Sequence, residues 1–205
     1  MKIVKRVGLV LSVFVVFVLA IGMWLPRKYH VERSVAINAP PEAIYAVVNR
    51  LHEWPTWTAW TMERFPDMKI EFSGPAEGVG AKQAWSGKSS GSGQIEFVTS
   101  SPTEGITYNF AFEKRPSTGG IKFLPGPDST HVTWYADGDM GFNPINRYFG
   151  LFMDGFIGPD LAKGLANLKK KVEDANNRSL SAQLDRAAPS EQPASPAKPA
   201  DEKSP

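Results

Sequence analysis

The chain contains no cysteine, which removes disulfide frameworks, thiolate nucleophiles and zinc–thiolate sites at once. It does not fix a compartment, because a cysteine-free protein is compatible with either side of a membrane. Histidine is nearly as scarce. His30, His52 and His131 are the three present, and no HExxH or other paired-histidine metal spacing occurs. There is no GxSxG elbow. The glycine-serine stretch from Ser86 to Gly93 lacks the GxxxxGK[ST] spacing of a phosphate loop and reads instead as a hairpin connection. A basic excess is also missing where it would matter. The formal charge is +2, yet residues 1–28 hold five basic and no acidic side chains, while residues 29–176 hold 14 Lys/Arg against 17 Asp/Glu. A nucleic-acid domain carries a basic patch or stripe, so nucleic acid is not an expected partner.

Long apolar runs are absent too, with one exception that decides where the rest works. Val7 to Leu25 is nineteen residues without a charge, flanked by Lys2, Lys5 and Arg6 before it and by Arg27 and Lys28 after it. At about 1.5 Å per residue a helix of that length crosses a hydrocarbon core of roughly 30 Å. The expectation is a retained single-pass anchor in residues 1–28. A cleaved signal peptide is the alternative, with Val18-Leu19-Ala20 as the small-residue site, but h-regions are usually about 7–15 residues. Trp24 and Tyr29 suit the aromatic belt of a membrane interface. Three basic side chains plus the α-amino group precede the run against Arg27, Lys28 and Arg33 after it, which by the positive-inside rule leans slightly towards an extracytoplasmic domain.

After the run comes one domain, residues 29–176, long enough to bury a core and a cavity. From Asn177 to Pro205 the chain turns to Pro, Ala, Ser and mixed charge, and is expected to be disordered. Within the domain, Val31 to Ile37 alternates as a strand, and Pro41 opens a helix carrying Ile44, Val47, Val48 and Leu51. A second short helical stretch follows from Leu51 to Trp60. Period-two segments then run around Ile70, Gln83–Trp85, Ile95–Thr99, Ile106–Phe112, Ile121–Phe123 and Val132–Ala136, giving six or seven antiparallel strands in hairpin order. Beyond Gly141 the helical period returns at Ile145, Phe149, Phe152 and Phe156, then at Leu161, Leu165, Leu168 and Val172. Gly158-Pro159 is expected to break or kink this C-terminal helix.

Five stretches carry a resemblance: VERSVAINAPPEAIYAVV at 31–48, Trp54-Pro55-Thr56-Trp57 leading to Trp60, FSGPAEGVGAKQAWSG at 72–87, HVTWYADGDM at 131–140 and GPDLAKGLANLKKKVE at 158–173. On these the chain resembles the polyketide cyclase/dehydrase-like branch of the START-type (SRPBCC, birch-pollen-allergen-like) superfamily, over about residues 30–175. The resemblance implies an α+β helix-grip fold, a curved antiparallel sheet wrapped around a long C-terminal helix. It implies a cavity for an apolar or amphipathic ligand. No cofactor or metal is expected, because the motifs that would hold one are missing. Fold alone does not give function.

With alternation setting the faces, Trp85, Phe97, Tyr108, Phe110 and Trp134 point to the concave side, with Ile95 among them. Phe149, Phe152 and Phe156 look back from the helix. Gln83 and Tyr108 supply polar groups, and the indoles of Trp85 and Trp134 add N–H donors. Trp57 and Trp60, three apart, either share a helix face at the cavity mouth or pack a short helix against the sheet. Asp137 and Asp139 either pair as carboxylates or cap the turn after the last strand. No convincing catalytic set emerges. Two readings stand: a membrane-tethered binding or carrier domain for a lipid or other hydrophobic small molecule, and a cyclase or dehydrase with Tyr108 or Asp137 aiding proton transfer. A weaker third is an envelope interaction module whose cavity is filled by its own aromatics and whose tail recruits a partner.

Overall fold

The computed structural model describes residues 2–187. The apolar run lies in helix α1 (Lys2–Trp24), which is long and apolar enough to cross a membrane and packs little of its surface against the rest of the chain. After three intervening residues strand β1 begins (Lys28–Ile37). Pro41 then starts α2 (Pro41–Val48), which buries Ile44 and Val48, and a 3-10 turn covers Leu51–Thr56. Six further strands follow: β2 (Lys69–Ser73), β3 (Lys82–Gly87), β4 (Gly91–Ser101), β5 (Gly105–Phe112), β6 (Arg115–Pro125) and β7 (Thr130–Asp139). Helices α3 (Pro144–Gly150) and α4 (Met153–Ala187) end the described chain.

All seven strands form one antiparallel sheet in the order β1-β7-β6-β5-β4-β3-β2. Consecutive strands from β2 to β7 pair as neighbours, and β1 closes on β7 from Lys28↔Asp139 to Ile37↔Thr130. Helix α4 lies across the concave face against β1 and β7. Its Leu161, Leu165, Leu168 and Val172 are each at most 2% exposed, contributing about 1.5–3 kcal/mol apiece through burial. Gly164 lets this packing close, since a Cβ there would come within 2.5 Å of the Trp134 ring. This is the helix-grip architecture.

Three boundaries differ from the sequence expectation. The helix does not break at Gly158-Pro159. Pro159 sits inside α4, and the break falls between α3 and α4 at Leu151-Phe152. Proline removes only the one bond to the carbonyl of Gly155, and α4 runs unbroken through it. Residues 177–187, expected to be disordered, continue α4, and 177–183 are exposed. Leu180, Ala182, Gln183 and Arg186 are good helix formers, and propensity carries the helix past its last core contact. The rest of that segment, 188–205, lies outside the described residues. Finally, β6 starts at Arg115, well before Ile121. Pro116 and the pair Gly119-Gly120 hide its alternation. Those glycines are bare because aromatic rings cover them, Tyr108 over Gly119 and Tyr135 over Gly120.

Candidate functional site

Between the concave face, the 3-10 turn and the α3–α4 junction lies a cavity of about 530 Å³. Gln83 and Trp85 of β3, Ile95 of β4, Tyr108 and Phe110 of β5, and Trp134 and Ala136 of β7 form its wall. These side chains share the face because β-strand side chains alternate, and register places Gln83 opposite Ile95 and Ile95 opposite Phe110. Trp85 lies over Gly93 of the neighbouring strand, where any side chain would collide with the indole. The floor is an aromatic cluster centred on Trp54. Its ring centroid is 5.5 Å from Tyr108, 5.7 Å from Phe97 and 5.9 Å from Trp134. The Trp54 indole N–H donates to the Val48 carbonyl at 2.9 Å. At the rim stand Trp60, Met140, Phe149, Met153 and Phe156, with Phe112 and Arg115 on the β5–β6 hairpin.

Of the eleven residues singled out in the sequence, eight line this cavity: Trp60, Gln83, Trp85, Tyr108, Phe110, Trp134, Phe149 and Phe156. Trp57, Phe97 and Phe152 do not. Trp57 is fully buried in the core. The turn holding Trp54 is a 3-10 helix, in which positions three apart eclipse, so Trp57 packs on Trp54 at 5.4 Å and Trp60 falls on the loop beyond. Phe97 is buried beneath Trp54, under the floor. Phe152 sits in the α3–α4 junction and is 61% exposed. Phe149 and Phe156 are also more than half exposed, so they form the rim and not the inner wall. Sequence reasoning left Trp54, Phe65, Met68 and Met153 out of the site. The three-residue period of Trp54 and Trp57 was the signal for the first; no local pattern marks the others.

The polar groups are few. Trp134 Nε1–H donates to the Tyr108 hydroxyl at 2.7 Å. Burial pushes the Tyr108 phenol well up from its ordinary value, against a smaller lowering by the Trp134 bond, so it stays protonated at neutral pH. Gln83 is 91% buried, and its Oε1 has no partner among the described residues; neither has Trp85 Nε1. Asp137 is on the opposite face of the sheet from Tyr108, where it takes a hydrogen bond from His30 Nδ1 at 2.7 Å. Asp139 instead pairs with Arg27 at 2.7 Å and accepts from the backbone N–H of Gly141 at 2.7 Å. That backbone N–H, then Arg27, hold its carboxyl below the usual range. The two aspartates thus have separate partners and do not act as a carboxylate dyad. Among the described residues no group of three or more His, Asp and Glu is placed to hold a metal.

Residues 28–173 match the model of the family described as polyketide cyclase/dehydrase and lipid transport. The chain belongs to this family. Among solved structures it is similar to the di-domain ARO/CYC StfQ of the steffimycin biosynthetic pathway. Identity is 12% and the TM-score 0.56, over 73% of this chain and 52% of StfQ. It is also similar to the protein TTHA0849 of Thermus thermophilus, at 16% identity and a TM-score of 0.51, over 71% of this chain and 98% of that one. At these identities the likeness is one of fold. No curated protein matches the chain. Family and fold together fit a domain that binds a hydrophobic ligand or works as a cyclase or dehydrase.

Proposed function

We propose that the domain binds a hydrophobic small molecule whose one polar end both gives and takes a hydrogen bond, and that α1 tethers it to a membrane. The observation that carries this reading is the pair on β3. An almost wholly apolar cavity holds one buried acceptor, Gln83 Oε1, and one buried donor, Trp85 Nε1, two residues apart on one face and both without a protein partner. Leaving such groups unmet costs about 1–3 kcal/mol each, and a ligand hydroxyl answers both. A long-chain or polycyclic alcohol fits this better than a carboxylate, whose charge would enter an apolar site without a cation deep in the wall.

The test is equilibrium binding of an NBD-labelled long-chain alcohol and of the matching acid to the full chain in detergent. The alcohol is expected to bind saturably and more tightly. Gln83→Leu should weaken the alcohol about tenfold, equivalent to roughly 1.4 kcal/mol. Absence of saturable binding for both probes would sink the reading. One observation supports an enzyme in the same cavity. The Tyr108 phenol, kept protonated by burial and receiving the Trp134 N–H, is a hydrogen-bond donor beside the ligand space, placed to stabilise a developing oxyanion.

A further inference from the structure

We infer that α3 and the start of α4 are sunk in the bilayer beside α1, so that the cavity opens into lipid. The inference rests on the reading of α1 as a membrane span. Its uncharged stretch, Val7–Leu25, has no length to spare: nineteen residues cover about 29 Å against a core of roughly 30 Å. Val18 and Gly22 therefore lie inside the hydrocarbon, within about 10 Å of the Leu25 end.

Helix α3 is fastened at that depth. The Tyr148 hydroxyl donates to the carbonyl of Val18 at 2.7 Å. Gly22 is buried against α3, and a Cβ there would come within 2.7 Å of the Pro144 side chain. Arg147, 6% exposed, donates to the carbonyls of Met23 and Leu25 at the end of α1 and to Gly141. These carbonyls have no helical partner, so the guanidinium caps the span while it is itself neutralised by dipoles. With α1 as a ruler, α3 shares the depth of Val18 to Leu25.

The face that α3 turns away from α1 and the domain suits that place. Ile145, Phe149 and Phe152 are 54%, 55% and 61% exposed, and Phe156 of α4 is 64% exposed. Arg147 is turned to α1. Asp154, itself 64% exposed, lies two residues and about 200° around the helix from Phe156 and is paired with Arg33 at 2.8 and 3.0 Å, so its charge leaves the apolar face and is met by a cation. At the α1 end, the Arg27 guanidinium stacks on the exposed Phe142 ring at 4.1 Å, an arrangement suited to the headgroup level. Phe149 and Phe156 belong both to this patch and to the cavity rim. An apolar ligand therefore passes from acyl chains to the cavity wall between these two rings without crossing water.

The absence of cysteine makes the test direct, because any introduced cysteine is unique. Single spin labels at Phe14→Cys, Phe152→Cys and Asp128→Cys are placed on the full chain in phosphatidylcholine nanodiscs. Collision with oxygen is then compared with collision with a water-soluble nickel chelate. The expected result is labels 14 and 152 in lipid and label 128, at the far end of the sheet, in water. Label 14 in lipid with label 152 in water would overturn the inference and leave the tether standing. Both in water would remove the tether and the inference together. A second measurement reads the passage itself. Ile145→Ser with Phe152→Ser, neither of which lines the cavity, should slow transfer of the NBD alcohol from vesicles about tenfold, with its affinity in detergent unchanged. Unslowed transfer would count against the portal even with label 152 in lipid.

Discussion

The Trp134 indole N–H and the Tyr108 hydroxyl meet at 2.7 Å between adjacent walls of the cavity, where both residues are at most 5% exposed. The bond joins β7 to β5 across the intervening β6, and it satisfies a buried indole N–H. Tyr108→Phe should therefore destabilise the chain by about 1–3 kcal/mol, the cost of leaving a buried donor unmet. Urea denaturation of the detergent-solubilised chain measures it. A loss below about 0.5 kcal/mol would mean that the indole finds another acceptor.

Two glycines of α4 should respond in opposite senses to alanine. At Gly164 the added methyl meets the Trp134 ring, and overpacking of that kind costs about 1–3 kcal/mol. At Gly155 nothing lies within 4 Å. Alanine there should add about 0.5–1 kcal/mol by helix propensity alone. Equal effects in thermal unfolding would show that propensity and not packing governs this helix.

Glu113 and Lys114 form the two-residue turn between β5 and β6 with φ of 49° and 64°. Both residues sit in the left-handed region that two-residue hairpins require and that side chains disfavour. Glu113 is compensated, since its carboxylate accepts the Ser92 backbone N–H at 2.7 Å. No such bond is found for Lys114 among the described residues, and Lys114→Gly should stabilise the chain by about 0.5–1 kcal/mol. Destabilisation instead would show that the lysine side chain contributes more than its backbone costs.

His30 titrates above its ordinary value because Asp137 takes its Nδ1 hydrogen bond, with Glu32 adding at Nε2. A raised folded-state pKa gives stability that is fully present below the unfolded value, near 6.5, and is lost as the pH rises through the folded one. The contribution is small, since the His30 side chain is half exposed. Ring proton shifts followed from about pH 5 to 9 should place the midpoint above 6.5, and Asp137→Asn should lower it. A midpoint unmoved by Asp137→Asn would remove the pair from the account.

Strands were the most legible part of this chain. Where apolar residues alternate, as at Ile106, Tyr108 and Phe110, the period both names the strand and assigns its inner face. The first half of β6 escaped because its information is held by other residues: Gly119 and Gly120 make sense only once Tyr108 and Tyr135 are seen lying over them. Of the two roles its spacing left open, Trp57 takes packing against the core and not the cavity mouth. Its partner is set by a three-residue turn, not by the 3.6-residue period that the spacing suggested. The contact of Tyr148 with Val18 lies beyond sequence reading altogether, as it joins residues 130 positions apart. Nor could alternation tell rim from wall. Phe149, Phe152 and Phe156 have the spacing of a buried face, and spacing says nothing of which side of a helix is covered.

Leu25, Pro26 and Arg27 alone separate α1 from β1. Three residues reach about 11 Å at full extension, and the Arg147 bonds shorten even that freedom. Proteins that ferry cargo over an aqueous gap need an arm long enough to swing. This cavity has no such arm towards α1, because α3, whose Phe149 stands at its rim, is bonded to that helix. With α1 held in a membrane as proposed, whatever the cavity holds is delivered where it is collected, or handed to a second molecule that comes to it.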